Sequence, residues 1–573
     1  MKKIVILISF LISVLYGYGV QKEIYRPKTK NVLSSYVVNM MSKSEKIPCI
    51  VYFTDKEYGE IDEALKNVNL ADKAVERRLR NGIESSKIVK FQDVPVSENY
   101  INQLGVEKED IRAISKWFNF VSAYLNSDDI ERISELPFVY GIDTVKETKR
   151  DEIKNSTGTS NSKDNYGGSF DELEQINLIA AHTAGYKGQG VLLMMDDSGF
   201  NYDHEVFETA NVVAQHDFIN DDDNVKNEGN DPWGQHDHGT SCWSLIGANL
   251  PGDMIGGAYE ADFLLAKTED ISQETTLEED FLVEALEWGE GLGADIVSGS
   301  LGYTEFDDPS TNYTYEDMNG QTCISTLGVL EAARNGVLCV YAMGNSGNDS
   351  WHYISAPADT DSIISVGAVD IDNNIAGFSS YGPSYDGRIK PEVVALGVYN
   401  FVANADGGYN SWGSGTSYAT PLVAAASAVV LSAHPDWTAQ QIREALMMTA
   451  DRSDNPSIDR YGYGLIDVMA AINYQPVGTH ENTPVSTDII KSYPNPFNPE
   501  TTIEFAVNDL SGSKVNLSIY NSNGELMTSL IDSKLDFGTH TANFNAEKMP
   551  SGVYFCKLTI SNNTFFHRMV LLK

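Results

Sequence analysis

The stretch Gly413-Ser-Gly-Thr-Ser-Tyr-Ala-Thr-Pro421 runs directly into an apolar segment that continues to Val430. Its glycines allow a sharp backbone turn, and the small and apolar residues that follow predict a buried helix. Ser417 would open this helix, where unpaired backbone N–H groups point toward an approaching anion. Pro421 is expected to fall within the first helical turn, where proline is tolerated. The stretch therefore predicts a serine nucleophile on a helix that packs into a larger domain.

Alternating strand-like and helix-like segments surround this stretch over residues 170–474. The predicted strands are short apolar runs at 190–195, 262–266, 294–297, 337–343 and 363–369. The predicted helices between them cover 277–290 and 327–335. This alternation is typical of α/β domains, in which helices cover both faces of a parallel sheet. Functional side chains in such domains lie in loops at the carboxyl ends of the strands.

Three further motifs lie beside predicted elements. Asp197-Ser-Gly follows a strand, His238-Gly-Thr opens a helix, and Gly344-Asn345-Ser follows another strand. Acyl transfer by a serine needs a base that removes the hydroxyl proton and a carboxylate that orients the base. It also needs hydrogen-bond donors for the oxyanion. Together with Ser417, the three motifs supply one residue of each required type.

The chain order of Asp-Ser-Gly, His-Gly-Thr and Gly-Thr-Ser-Tyr-Ala-Thr-Pro resembles that of the subtilisin family of serine peptidases. The resemblance covers residues 170–474. It includes Ala294-Asp-Ile-Val-Ser-Gly-Ser-Leu-Gly302, which is similar to the strand that binds the substrate backbone in that family. Residues 342–347 are similar to the oxyanion segment. Each motif is common on its own, but three in this order beside the expected elements are specific.

The resemblance implies a secreted serine endopeptidase built on a subtilisin-like parallel sheet with helices on both faces. Asp197 would orient His238, which would act first as general base and then as general acid. Ser417 would form the acyl-enzyme, and Asn345 would donate to the oxyanion. The resemblance also implies four residues that line the substrate cleft: Ser300, Leu301, Gly302 and Gly344.

Two other functions compete with this interpretation. The first is a catalytically silent, protease-like module for binding or adhesion. The intact Asp, His, Ser and Asn favour the enzyme, because a pseudoenzyme can lose them freely. The second is an esterase of the α/β-hydrolase type, which would carry Ser before Asp before His in the chain. The order found here argues against it.

Three residues depart from the family pattern. Asp196 stands where relatives usually have an apolar residue, and it could compete with Asp197. Cys242 follows His238 by one helical turn and is interpreted as a small buried residue. Tyr418 stands where many relatives have Met, which predicts a site that is less sensitive to oxidation.

Charge and ligand spacing limit the partners and cofactors. The 573-residue chain has 81 acidic and 41 basic residues and a net charge of −40, so it would be repelled by nucleic acid and anionic membranes. The predicted chemistry requires no cofactor. No further Cys/His set at metal spacing accompanies His236 and His238, so zinc is not expected. The acidic loop 221–224 with nearby Asp231 is interpreted as solvated, with structural Ca²⁺ as the alternative.

Residues 1–19 have the pattern of a signal peptide. Lys2 and Lys3 precede a short apolar run, and small residues follow at Gly17 and Gly19. This apolar run is too short to span a bilayer, and no apolar run in the rest of the chain is long enough for a transmembrane helix. We therefore expect export of a protein with no transmembrane span.

Residues 20–150, with a folded core at 47–145, resemble the propeptide of this family. The resemblance implies a small α/β domain that chaperones folding and then inhibits the enzyme. Within this domain, residues 88–91 and 114–125 are expected to form strands. Residues 151–169 are polar and are expected to form an exposed linker, with autoprocessing somewhere in 146–168.

The C-terminal part changes character after a Pro/Thr/Ser linker at 475–490. Residues 491–573 alternate short strands with turn signals, which predicts a small β-sandwich. Tyr493-Pro-Asn-Pro-Phe-Asn-Pro and the last residues resemble the sorting domain that the type IX secretion system reads. The resemblance implies export across the outer membrane, to the medium or the cell surface. A carbohydrate- or protein-binding sandwich is the alternative.

The remaining expectations concern cysteines and partners. Five cysteines are scattered over the chain. A disulfide between Cys323 and Cys339 and free buried thiols are the two alternatives. The expected partners are protein or peptide substrates, the chain's own propeptide and the secretion machinery.

Overall fold

A computed structural model provides the structure of the protein. It describes residues 33, 37, 41, 46–57, 65, 68, 70–144, 147–148, 164–229, 231–305, 312–476, 490–493, 495, 497–507, 513–521, 526–535, 538–560 and 563–571. The predicted signal peptide and most of both predicted linkers lie outside the described residues. The chain divides into two compact units, 1–475 and 476–573, which are described separately.

The first unit begins with a four-stranded antiparallel sheet that carries short helices. Its elements are β1 (Ile47–Phe53), α1 (Asp72–Arg80), α2 (Glu98–Leu104), β2 (Ile111–Ser115), β3 (Phe120–Leu125), α3 (Ser127–Ser134) and β4 (Val139–Thr144), followed by β5 (Glu147–Thr148). The strand order is β2-β3-β1-β4. Every residue of β1 is buried, because β1 lies in the interior of this sheet.

Two predictions for this N-terminal domain are wrong. Residues 88–91 do not form a strand, because the backbone N–H of Lys90 donates to Asp93 (2.7 Å) and starts a turn. Asp93 is held there by a buried ion pair with Arg78. Residues 114–125 do not form one strand, because the left-handed backbone of Asn119 (φ 56°) helps fold the segment into the β2–β3 hairpin.

The rest of the first unit is built on a central parallel sheet. The strands in chain order are β6 (Leu192–Asp197), β7 (Asn211–Asp217), β8 (Asn249–Leu250), β9 (Met254–Ile255), β10 (Asp262–Lys267), β11 (Glu274–Thr275), β12 (Ile296–Gly299), β13 (Leu338–Ala342), β14 (Ile364–Val369), β15 (Val393–Leu396), β16 (Asn400–Ala403) and β17 (Tyr409–Gly413). Seven of them form one sheet in the order β15-β14-β13-β12-β6-β10-β7, with every pairing parallel. The predicted fold class is confirmed, and the predicted strands are displaced by two residues or fewer.

Helices cover both faces of this sheet. They are α4 (Phe170–Gln175), α5 (Leu178–Thr183), α6 (Asp237–Gly247), α7 (Leu277–Leu292), α8 (Ile324–Arg334), α9 (Thr416–Ala433), α10 (Ala439–Met448) and α11 (Val468–Ile472). Alternate residues of β6 point to opposite faces, so Leu193 and Met195 pack with α6 and α9. Leu192 and Met194 pack with α7 and α8 on the other face. The central sheet is therefore packed between two apolar cores.

Helix α9 is the one helix in the described part of the chain that is long and apolar enough to cross a membrane, so the expectation that no run beyond residues 1–19 has this length is wrong. It is largely buried between the sheet and α6, which explains its composition as that of a central core helix. Pro421 is the sixth residue of α9 and lies in its second turn, so its predicted place in the first turn is wrong. All five cysteines are buried and free, so the Cys323–Cys339 disulfide does not form.

The second unit consists of antiparallel strands. They are β18 (Ile490–Tyr493), β19 (Glu500–Val507), β20 (Ser513–Asn521), β21 (Leu526–Leu535), β22 (Gly538–Asn545), β23 (Gly552–Ile560) and β24 (Asn563–Leu571). They form one three-stranded and one four-stranded sheet. The two sheets enclose a separate apolar core with Phe505, Leu517 and Tyr554 at its centre. The predicted β-sandwich is therefore found.

Candidate active site

Asp197 and His238 lie in direct contact at the carboxyl end of the central sheet. Asp197 is the last residue of β6, and His238 lies in the first turn of α6. His238 Nδ1 is 2.8 Å from Oδ1 and 3.0 Å from Oδ2 of Asp197. Burial of the imidazole disfavours its charged form, but the adjacent Asp197 carboxylate outweighs that effect and raises the pKa of His238 well above its usual value. The pair can therefore stabilise an imidazolium.

Ser417 lies in the first turn of α9, beside the same histidine. Its Oγ donates a hydrogen bond to the carbonyl of Ser300 (3.2 Å), and its own carbonyl accepts one from Ser300 Oγ (2.8 Å). Cys242 Sγ is 3.8 Å from His238 Nε2 and 3.4 Å from the Ser417 carbonyl. The thiol is buried and fills the space between α6 and α9. In this rotamer the Ser417 hydroxyl faces the end of β12.

Asn345 follows β13 and is held in a defined orientation by Thr416. Its Oδ1 accepts hydrogen bonds from the backbone N–H (2.8 Å) and the hydroxyl (3.0 Å) of Thr416. These contacts leave the Nδ2 donor of the amide free to face away from Thr416. A Cβ placed on Gly415 would lie 3.4 Å from Asn345 Nδ2 and 3.7 Å from the Ser417 nitrogen. The two nitrogens therefore border one small space, which a side chain at position 415 would fill.

The predicted substrate-binding residues lie along the ends of β12 and β13. A Cβ on Gly302 would lie 2.4 Å from Ser355 Oγ, and a Cβ on Gly344 would lie 3.0 Å from the same atom. Ser355 thus lies between the two glycines, with a hydroxyl rather than a charge. Ser300 contacts the Ser417 backbone, whereas Leu301 is largely buried in the apolar core.

Comparison with known proteins identifies the family of the chain. Residues 188–464 match the model of the subtilase family. Subtilisin amylosacchariticus from Bacillus subtilis subsp. amylosacchariticus is 30% identical over 394 residues, which cover 68% of this chain and 91% of the relative. Subtilisin DY from Bacillus licheniformis is 33% identical over 302 residues, 52% of this chain and 97% of the relative. The chain belongs to the subtilase family.

The flanking regions of this subtilase match two further family models. Residues 48–162 match a peptidase S8 propeptide domain of Bacteroidota, and residues 491–572 match a secretion system C-terminal sorting domain. The chain is therefore a subtilisin-like serine endopeptidase made as a zymogen, with a C-terminal domain for type IX secretion. The prediction of these three parts from the sequence is confirmed.

Asp196 does not compete with Asp197, because its side chain lies on the other face of the sheet. Tyr341 donates a hydrogen bond to Asp196 Oδ2 (2.7 Å) across β12. Gly299 of β12 lies between Tyr341 and Asp196 in the sheet register. A Cβ on Gly299 would lie 2.1 Å from the Tyr341 ring. Asp196 Oδ1 has no hydrogen-bond partner among the described residues. Burial raises the pKa of Asp196 to about 8, so it is mainly protonated at neutral pH.

The acidic loop after β7 already contains a cation of the protein itself. The Lys267 ammonium is fully buried between Asp217 (2.7 Å) and Asp231 (2.8 Å). Asp221 and Asp223 are exposed at the surface of the loop. Of the residues named for the calcium alternative, Asp231 is therefore paired with Lys267, whereas Asp221 and Asp223 lie outside this ion pair. His236, near this loop, accepts the Asn227 backbone N–H at Nδ1 (3.0 Å), as a structural residue.

Gln235 is a buried residue near the site that the motifs do not reveal. Its amide nitrogen donates to the carbonyls of Ser198 (2.6 Å) and Glu269. Its Oε1 accepts from the Ile271 backbone N–H (3.1 Å). It therefore ties the segment after Asp197 to the chain three residues before His238. Its position just upstream of the His-Gly-Thr motif is the one sequence signal that could have pointed to it.

The N-terminal domain contacts helix α7 of the catalytic domain. The carboxylate of Glu287 on α7 accepts hydrogen bonds from Ser115 Oγ (2.6 Å) and from the backbone N–H groups of Lys116 and Trp117. Further along the chain, β5 pairs antiparallel with β11. The propeptide therefore covers helix α7, and the backbone at its C-terminal end adds a strand to β11.

Proposed function

We propose that Ser417, His238 and Asp197 are the catalytic triad of this endopeptidase. The observation that carries the proposal is the close contact of His238 Nδ1 with the Asp197 carboxylate, beside the helix turn that presents Ser417. Rotation of the Ser417 side chain away from the Ser300 carbonyl would bring its Oγ toward His238 Nε2. Such a constellation is identified by the geometry and roles of its members.

In the proposed reaction, His238 Nε2 removes the proton from Ser417 Oγ as this oxygen attacks the substrate carbonyl carbon. Asp197 stabilises the imidazolium that forms. The oxyanion receives hydrogen bonds from Asn345 Nδ2 and the Ser417 backbone N–H, which border the space beside Gly415. His238 then returns the proton to the leaving amine. Water hydrolyses the acyl-enzyme by the same steps in reverse order.

The substrates in this proposal are proteins or peptides whose backbone runs beside Ser300, Leu301 and Gly302. The pocket between Gly302 and Gly344 takes the residue before the scissile bond, and the Ser355 hydroxyl at its wall favours an uncharged side chain. No cofactor takes part in the chemistry. The Lys267 ammonium supports the loop after β7 through Asp217 and Asp231, and structural Ca²⁺ at the acidic loop 221–224 is the alternative.

In the proposed export and maturation, each part of the chain acts in turn. Residues 1–19 direct export through the inner membrane, and residues 20–150 act as intramolecular inhibitor until processing in the 151–169 linker or just before it. The catalytic domain covers 170–474 and is joined by 475–490 to the sorting domain at 491–573. The secretion machinery recognises that domain and releases the enzyme outside the cell or at its surface.

The full chain and its Ser417→Ala variant, followed by intact mass and casein hydrolysis, test this proposal. We expect the wild type to lose its propeptide, to react with a serine-directed fluorophosphonate and to hydrolyse casein. The variant should keep the propeptide and do neither. A wild type that stays full length, unlabelled and inert would show that the chain is a catalytically silent binding module.

A further inference from the structure

The propeptide makes a second contact with the catalytic domain, at the opposite end of the sheet from the proposed triad. Helix α1 packs against residues that immediately precede strands, namely Gly190 before β6, Asp295 before β12 and Gly336 before β13. The proposed active-site residues follow the other ends of these strands. Strands of four to six residues separate the two ends by about 13–20 Å.

Arg77 is the centre of this second contact. Its guanidinium is fully buried and donates to three backbone carbonyls of the catalytic domain, those of Glu290 (3.2 Å), Ala294 (2.7 Å) and Asn335 (3.2 Å). It also forms an ion pair with the Glu290 carboxylate. Every nitrogen of the planar group therefore has an acceptor, which is the arrangement that distinguishes a built guanidinium site from a surface contact.

The acceptors come from the C-terminal ends of two helices. Glu290 lies in the last turn of α7, and Asn335 caps the end of α8. Carbonyl groups at helix C-termini carry the negative end of the helix dipole, so two converging ends and one carboxylate favour a cation. Both ion pairs of Glu290 among the described residues, with Arg77 and Arg78, come from the propeptide.

The catalytic domain is also shaped for a close approach at this place. Gly293, which ends α7 with a left-handed backbone (φ 99°), would place a Cβ 2.7 Å from the Cβ of Lys73 on α1. Gly336 (φ 86°) would place one 2.5 Å from the amide of Asn81. Any side chain at either position would push α1 away, so the surface accepts a helix packed backbone to backbone.

We infer that the mature catalytic domain carries a guanidinium-binding exosite, formed by Glu290 and the helix ends at Ala294 and Asn335, for an arginine presented by a peptide segment. Its first occupant is Arg77, and the site retains the propeptide after the linker is cut. The inference rests on the proposed maturation, because removal of the propeptide uncovers the site. Arg80 contributes at the rim through a part-exposed pair with Asp295.

The test uses mature enzyme whose serine has been blocked with a fluorophosphonate and a fluorescein-labelled peptide of residues 70–82. Fluorescence anisotropy gives the dissociation constant. Citrulline in place of Arg77 keeps the shape and most donors of the side chain but removes its charge, and citrulline in place of Arg80 is the matched control. We expect at least tenfold weaker binding for the change at Arg77 and a smaller loss at Arg80.

The Glu290→Gln enzyme should lose affinity for the unmodified peptide to a similar extent. Hydrolysis of a short chromogenic peptide by unblocked enzyme reports separately on the proposed function, and the 70–82 peptide should leave that rate unchanged. Equal dissociation constants for the unmodified peptide and the form with citrulline at Arg77 would overturn the exosite. Competition with the chromogenic substrate would also overturn it, because the peptide would then bind in the cleft.

Discussion

Asp196 and Asp197 are adjacent in β6, yet their side chains lie on opposite faces of the central sheet. Asp197 contacts His238 on the face covered by α6, whereas Asp196 accepts a hydrogen bond from Tyr341 on the other face. The alternation of side chains along a strand places the two carboxyl groups on opposite faces of the sheet. One is suited to stabilise a positive charge, and the other is held mainly in its neutral form at neutral pH.

The first prediction compares Asp197→Asn with Asp196→Asn. The change at Asp197 removes the charge that stabilises the His238 imidazolium, so kcat should fall about 10⁴-fold. Losses of about this size are known when the triad aspartate of other serine peptidases, including a subtilisin, is replaced. The change at Asp196 should leave kcat within about tenfold. The rate of self-processing of each full chain, followed by intact mass, measures both effects. Equal losses in the two variants would contradict the assignment of Asp197.

The second prediction concerns pH and Asp196. Burial raises its pKa from 3.8 to about 8, so the folded state binds an extra proton over that range. Stability that depends on this proton is therefore lost as pH rises from about 4 to about 8. Asp196→Asn removes the titration, and its melting temperature relative to wild type should increase between pH 5 and pH 8. A difference that stays constant with pH would contradict a neutral Asp196.

The third prediction tests the oxyanion role of Asn345. Asn345→Ala removes the Nδ2 donor, and kcat should fall about 10²–10³-fold with KM nearly unchanged, the size known for the equivalent donor in a subtilisin. Thr416→Val removes one of the two bonds that orient the amide and should cause a smaller loss of kcat. Steady-state hydrolysis of a chromogenic peptide measures both. A rise in KM alone would assign Asn345 to substrate binding instead.

The sequence predicts five of the seven strands of the central sheet, because each of the five is an apolar run next to a helical segment. It misses the two edge strands, since β7 mixes polar with apolar residues and β15 has only four residues. The Asp-Ser-Gly, His-Gly-Thr and Gly-Thr-Ser motifs lie at the ends of such elements, as the sequence predicts, and the catalytic roles of their residues stay a prediction. The sequence pattern fails at residues 88–91, where the apolar pattern resembles a strand but Asp93 is drawn inward by Arg78. The contacts of Gln235, Lys267 and Arg77 cannot be predicted from the sequence either, because their partners lie far away in the chain and no local pattern encodes them.

The fourth prediction concerns Lys267. Lys267→Met leaves Asp217 and Asp231 without their shared cation, and breaking a buried pair of this kind costs about 3–5 kcal/mol of unfolding free energy. Lys226→Met is the matched control, since its pair with Asp203 is exposed and contributes about 0–1 kcal/mol. Thermal unfolding with and without millimolar Ca²⁺ measures the effect. We expect Ca²⁺ to restore stability only to Lys267→Met, and an unaltered melting temperature in that variant would contradict the role of the lysine.

The fifth prediction assigns a positioning role to Gln235. Gln235→Ala removes the bonds that tie the Ser198 and Glu269 carbonyls to the start of α6, and small displacements of a catalytic group cost up to about 10²-fold. We therefore expect kcat/KM to fall by about 10–10²-fold. As the contact between His238 and Asp197 loosens, the pKa of His238 should fall, so the acidic limb of the pH–rate profile should move to lower pH. The exposed Gln189→Ala variant should show neither change. A lower rate with an unmoved acidic limb would mean that Gln235 acts on stability alone, because a purely structural loss does not alter the titration of His238.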